Sequence, residues 1–277
     1  MPVDDTLDQT PAARPGFSWT RQRALTRRGV VWLGQTCNLR CHFCYFHNRI
    51  SSKDHPDHPF MSLEKATALC STLRDVYGNT AIDIQGGEPT IYPDILALTA
   101  HCRTIGLLPT LITNALVLDK IENCRDLKAA GVRDFLVSVH GLGDSYDTAV
   151  GVPGSHVRQM RAIDNLVSVG LPFRFNCVLA KSVLPHLAEA ARLAVASGAR
   201  VVNFIAFNPF EDQAGNTRSG RDVPRYAEVV PPLVEALDIL GEAGVEANVR
   251  YLPLCLVPER YRRHFYNFQQ LPWDLHE

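Results

Sequence analysis

The run Cys37-Asn38-Leu39-Arg40-Cys41-His42-Phe43-Cys44 decides how this chain is read. Its C-x3-C-x2-C spacing gathers three thiolates on one short loop, one ligand too few for the four irons of a cubane cluster. One iron is left open. An iron with an exchangeable position can bind a small molecule and pass an electron to it, whereas a fully ligated cluster only relays electrons. A second stretch, Gly86-Gly87-Glu88-Pro89, closes an apolar strand downstream.

Around these two stretches, short apolar runs alternate with helical ones, the pattern of repeated βα units rather than of hairpins. Strands are expected at Val30 to Gln35, Thr80 to Gln85, Leu108 to Thr113, Asp134 to Val139, Pro172 to Leu179, Val201 to Phe207 and Glu246 to Tyr251. Most are apolar enough for burial on both faces, as in a parallel sheet. Helices are expected at Ser62 to Tyr77, Asp94 to Ile105, Lys120 to Ala130, Ser155 to Val169, Pro185 to Ser197 and Pro224 to Glu242. Gly78, Gly106, Gly131 and Gly170 fall where a left-handed helix stop is wanted.

The fold class that follows is α/β, a partial (β/α)6-type TIM-like barrel with a parallel sheet, six or seven units long. In such a barrel the loops at the carboxyl ends of the strands converge over one mouth, and both stretches lie there. Residues 1–27 read as a flexible arm, 28–253 as the core barrel, and 254–277 as a short tail that caps the barrel or begins a further module.

With 28 basic and 29 acidic residues among 277, the formal charge is −1, and nothing in it points to a broad electrostatic footprint for nucleic acid. Met1 to Thr20 carries acidic residues and prolines without a continuous apolar segment, which excludes a secretory signal or membrane span there. Eight cysteines without an export signal point to a reducing compartment, with the cytoplasm as the expected location. Cys70, Cys102 and Cys124 fall in helices and Cys177 in a strand, positions where free thiols act as small apolar fillers. Cys255, past the last strand, is the exception, although one cysteine cannot hold a cluster.

The cysteine loop followed by Gly86 to Pro89 resembles the radical S-adenosylmethionine (radical SAM) superfamily, over roughly Arg28 to Leu252. The resemblance implies that Cys37, Cys41 and Cys44 hold a [4Fe-4S] cluster whose open iron is chelated by SAM. It also implies reductive SAM cleavage to a 5′-deoxyadenosyl radical that takes hydrogen from a substrate the sequence does not identify, the cofactors carrying the hard chemistry. A flavodoxin or ferredoxin is the reductant so implied, and oxygen a poison. Phe43 matches a ring placed by the adenine, or one that shields the cluster.

Gly86 and Gly87, lacking side chains, would let backbone carbonyls approach the SAM ammonium, while Pro89 stiffens the turn. Glu88 either offers an acceptor or holds the loop. Ser138 matches a SAM-contacting position on strand four, Asn176 a ribose contact and Asn208 an adenine-edge contact. Thr113, Asn114, His140 and Arg174 are candidates on the substrate side, with scaffold hydrogen bonding as their plain alternative. The chain departs from many members at Ala115, where glycine is usual; this bears on the local turn.

Two other readings compete. A maturase acting on a peptide or protein would use the same cofactors. A zinc-stabilised binding module would draw on Cys41, Cys44, His47 and the His55-x2-His58 pair, but it leaves Cys37 idle and its histidine spacing is tight. Glu211 to Val223 reads as a mobile loop and lid candidate, and substrate choice would reside there, in the arm and in the tail.

Overall fold

The computed structural model describes residues 28–44, 59–207 and 222–265. Seven parallel strands run in sequence order: β1 Arg28–Trp32, β2 Ala81–Gln85, β3 Leu108–Thr113, β4 Asp134–Ser138, β5 Phe173–Leu179, β6 Val201–Ala206 and β7 Glu246–Arg250. All seven expected strands are present. β1 starts at Arg28, earlier than expected, and also stops earlier, ahead of Gly34, which turns the chain at φ 146 where a Cβ would stand 2.5 Å from the Pro59 carbonyl oxygen.

The six expected helices appear as α1 Leu63–Asp75, α2 Ile95–Thr104, α3 Ile121–Ala129, α5 Ser155–Val169, α6 Leu187–Ser197 and α7 Tyr226–Glu242. Ser62 caps α1, its hydroxyl accepting from the Lys65 amide at 3.3 Å, and the four expected stop glycines all adopt positive φ. A further helix, α4 Gly143–Val150, lies where none was expected. It is short and bounded by glycines, so it carries too few turns for a hydrophobic period to show.

The main core lies between sheet and helices. Along β2 the buried Ile82 and Ile84 alternate with half-buried Ala81, Asp83 and Gln85, and along β5 Phe173, Phe175, Cys177 and Leu179 alternate with Arg174, Asn176 and Val178. Burial of a side chain such as Phe135 or Phe175 contributes about 2–3 kcal/mol. The expectation of strands apolar on both faces is therefore corrected. The inner face carries Asp83, Thr110, Asp134, Arg174, Asn176, Asn203 and Asn248, because β1 and β7 do not pair and the curled sheet stays open. An open interior tolerates polar side chains that a closed, packed one would not.

Candidate active site

The cysteine loop leaves β1 and is sewn to its neighbours by backbone bonds. Arg40 N donates to the Val150 carbonyl at 2.8 Å and His42 N to that of Ala149 at 3.3 Å, both at the end of α4. The His42 ring bonds to Ala149 O at 3.1 Å through Nδ1 and to the Asp222 carboxylate through Nε2. Asp222 also accepts from Ser182 N at 2.8 Å and Ser182 Oγ at 3.0 Å. Thus α4, not expected from the sequence, and Asp222, near the end of the 211–223 segment read as a mobile loop, fix where the thiols stand.

Cys37, Cys41 and Cys44 are only partly buried, while Cys70, Cys102, Cys124 and Cys177 are buried fillers, as expected. The three line a cavity of about 200 Å3 together with Phe43, Gly86, Gly87, Glu88, Thr113, Asn114, Ser138, His140 and Asn176. Twelve of the fifteen expected site residues thus share one space. Pro89 and Arg174 are not in its lining, and Asn208 lies outside the described residues, as do His47, His55, His58 and most of Glu211 to Val223. Cys255 is exposed.

The glycine pair also serves a purpose the sequence did not suggest. Gly87 has φ +42, and a Cβ on it would stand 1.9 Å from the Thr36 carbonyl oxygen; one on Gly86 would meet the Trp32 ring at 2.5 Å. The pair lets the β2 loop close against the cysteine loop, a contact sealed by Glu88 N donating to Thr36 O at 2.9 Å. Pro89, buried, starts a short 3₁₀ turn capped by Glu88.

Glu88 holds that closure. Its Oε1 accepts from Thr90 N at 2.9 Å, Thr90 Oγ1 at 2.6 Å and Thr113 Oγ1 at 2.6 Å, and its Oε2 accepts from Asn114 N at 2.7 Å. Burial nonetheless pushes its carboxyl above the usual range, outweighing those bonds. Thr113 is spent in the same way, accepting also from Ala115 N at 2.8 Å, while Asn114 donates to Asn38 Oδ1 at 2.7 Å. For these two the scaffold alternative describes the observed bonds. Ala115 keeps the left-handed turn, φ 66, despite its methyl group.

Arg174 is corrected more fully. It pairs in register with Leu136, one turn of the pleat below Asn176, and its Nε lies 3.0 Å from Asp134 Oδ2. It belongs to an ion-pair layer deep in the barrel rather than to the mouth.

An aromatic wall closes the other side. Phe43 meets His140 edge-on at 4.5 Å and Phe207 at 6.5 Å between ring centroids. His140 accepts from Val178 N through Nδ1 at 3.4 Å, and burial, helped by His42, pushes its imidazole down to about 3, so the ring is neutral. Tyr146 on α4, fully buried, also lines the cavity; its hydroxyl bonds to Gln159 Nε2 at 2.8 Å. Sequence reading missed it because it missed α4.

The space fits a cluster with a polar guest. Burial, then the Glu88 carboxylate, push the Cys37 thiol up to about 12, and burial, then Cys44 and Cys37, raise that of Cys41. Two thiols held in this way become thiolates only against a strong positive charge such as bound iron. Asn176 Oδ1 is buried in the wall without a partner, an acceptor left for a guest.

A half-barrel with three thiols on the loop after its first strand defines a class, the cluster-dependent SAM enzymes, and comparison with known proteins agrees. Residues 33–195 match the Radical SAM superfamily model, and the chain belongs to that superfamily. Its members are enzymes that use a [4Fe-4S] cluster and SAM.

An AdoMet-dependent heme synthase of Nitratidesulfovibrio vulgaris is 28% identical over 203 residues, 73% of this chain and 54% of that protein. An Fe-coproporphyrin III synthase of Methanosarcina barkeri is 32% identical over 152 residues, covering 53% and 37%. Among solved structures, Streptococcus suis SuiB bound to S-adenosylmethionine has a TM-score of 0.66 at 18% identity, over 84% of this chain and 52% of that one; this likeness is one of fold. The chain spans about half the length of the first of these relatives or less. Among the described residues no helix is long and apolar enough to cross a membrane.

Proposed function

We propose that this chain reductively cleaves SAM and takes a hydrogen atom from an organic substrate. The observation that carries this is the trio of partly buried thiols facing a cavity whose wall holds an unpartnered Asn176 oxygen. Cys37, Cys41 and Cys44 would hold the [4Fe-4S] cluster. Bound together, cluster and SAM supply a 5′-deoxyadenosyl radical.

The chain's own residues do the positioning. The Gly86 and Gly87 backbone, Ser138, Asn176 and Asn208 would hold SAM, with Phe43 packing beside it. Glu88 and Pro89 act one step removed, keeping the loop closed. His140, neutral and apolar on its Phe43 face, helps exclude water from the cavity. The barrel of residues 28–253 would carry the chemistry, with substrate choice resting on its 211–223 loop and neighbouring barrel mouth together with the arm and the tail. A flavodoxin or ferredoxin would deliver the electron, in the cytoplasm.

A peptide substrate is the second reading. It is favoured by a PqqA peptide cyclase of Methylocella silvestris, 31% identical over 120 residues, and by the fold likeness to SuiB bound to its precursor peptide SuiA, TM-score 0.66. The test is anaerobic reconstitution followed by dithionite and SAM. About four irons per chain and release of 5′-deoxyadenosine are expected, and Cys41→Ala should lose both. Iron content and turnover unchanged in that variant would refute the ligand assignment.

A further inference from the structure

We propose that a second cavity, of about 550 Å3, receives the body of the substrate, and that this substrate is an apolar or aromatic molecule bearing a carboxylate. The inference rests on the function proposed above and gives it a substrate class. The cavity lies at the carboxyl ends of the last three strands: Leu179 ends β5, Phe207 follows β6, Tyr251 follows β7, and Arg225, Tyr226 and Val229 open α7. Phe207 lines this cavity and the cysteine cavity alike, so the two adjoin at one ring, past which the reacting end of a substrate seated here would extend toward the cluster. Its volume is that of a small-ligand site.

The lining chemistry sets the class. Leu179, Phe207 and Val229 are buried and apolar, and the rings of Tyr226 and Tyr251 stand about half exposed at the rim. Tyr251 is held at φ 65, a left-handed conformation that costs a residue with a Cβ about 1–2 kcal/mol; the fold retains it with the ring beside the cavity. The one cation in the lining is Arg225.

The Arg225 backbone is fixed from both sides, its N donating to Glu228 Oε2 at 2.7 Å and its carbonyl accepting from Glu228 N at 2.9 Å. The Glu228 carboxylate is shared with Lys181, whose Nζ lies 3.4 Å from Oε1. Among the described residues the Arg225 guanidinium has no carboxylate within 4.0 Å, and its charge acts on Glu228, itself paired with Lys181, only from beyond that distance. A planar fork of donors at the edge of an apolar chamber matches a carboxylate on an apolar body.

The test is calorimetric titration of the full chain, reconstituted anaerobically and saturated with SAM, with 4-phenylbutyrate and with its neutral analogue 4-phenylbutyramide. The carboxylate should bind at least about tenfold more tightly. Arg225→Gln should erase that preference while leaving amide binding in place, and Tyr226→Ala should weaken both probes. Equal affinities, a preference that survives Arg225→Gln, or no binding of either probe overturns the proposal. Deoxyadenosine release by the same wild-type preparation without probe is scored separately. Its failure refutes the radical reading, and its success alongside absent probe binding refutes the cavity assignment alone.

Discussion

The two ends of the barrel interior handle charge in opposite ways. Near the amino ends of the strands, Arg28 Nη1 meets Asp83 Oδ1 at 2.7 Å and Thr110 Oγ1 at 3.1 Å. Thr110 in turn donates to Asp134, which pairs with Arg174 at 3.0 Å. Two arginines face two aspartates, and the charges cancel. At the carboxyl ends, Glu88 is bound only by hydroxyl and backbone donors, three thiols crowd one loop, and an amide oxygen has no partner. The lower layer balances its charges, although Arg28 Nε and Arg174 Nη2 lie buried without a hydrogen-bond partner, and so acts as a brace. The upper one leaves charge unbalanced, as a ligand site does.

Removing Glu88 should break this contrast most sharply. Glu88→Ala strands the Thr113 and Thr90 hydroxyls and two backbone amides, and a loss of about 3–4 kcal/mol in urea unfolding is expected. Iron uptake should fall as well, since the Thr36 contact that seats the cysteine loop depends on this closure. A stable variant with full iron loading would mean the carboxylate is no brace at all.

At the opposite end, Asp134→Asn should cost about 2 kcal/mol, between the values for exposed and fully buried pairs. SAM cleavage should persist in the folded fraction. A selective loss of cleavage at unchanged stability would show that the lower layer is coupled to the mouth.

The smallest effect concerns His140. Its folded value, about 3, lies below its ordinary 6.5, so the unfolded chain binds more protons between these limits. Stability contributed by the neutral ring is complete above 6.5 and is lost as pH falls toward 3, by up to about 1.4 kcal/mol per pH unit. His140→Gln should flatten the urea stability profile of the metal-free protein between about pH 6 and pH 5 by that slope. Equal slopes in the two proteins would show that the ring is protonated in the fold.

Much of this was legible in the residues. Seven apolar runs mark seven strands, because a strand buried on its helix side must supply apolar residues there whatever its partners. The cysteine and glycine motifs, with the family resemblance for Ser138 and Asn176, put Cys37, Gly86, Ser138 and Asn176 at one mouth, where the structure brings them together. The eight residues of α4 were not legible, nor was Tyr146 on it, since so short a helix has no period to read.

Arg174 was misplaced because nothing local tells an arginine at the second position of a strand whether an aspartate awaits it. Glu88 could not be assigned because its four donors come from Thr90, Thr113 and Asn114, and two of these lie on another strand's end.

By itself the sequence determined the order of elements, the loop that carries sulfur and the family of chemistry, since spacing along a chain fixes which ligands can share a loop. Tertiary structure decided the rest: that the glycines serve loop closure, that Glu88 is a brace, that Arg174 sits below and that Arg225 overlooks a second chamber. Those outcomes depend on register between strands and on a sheet that does not close, and both are settled only when distant segments pack.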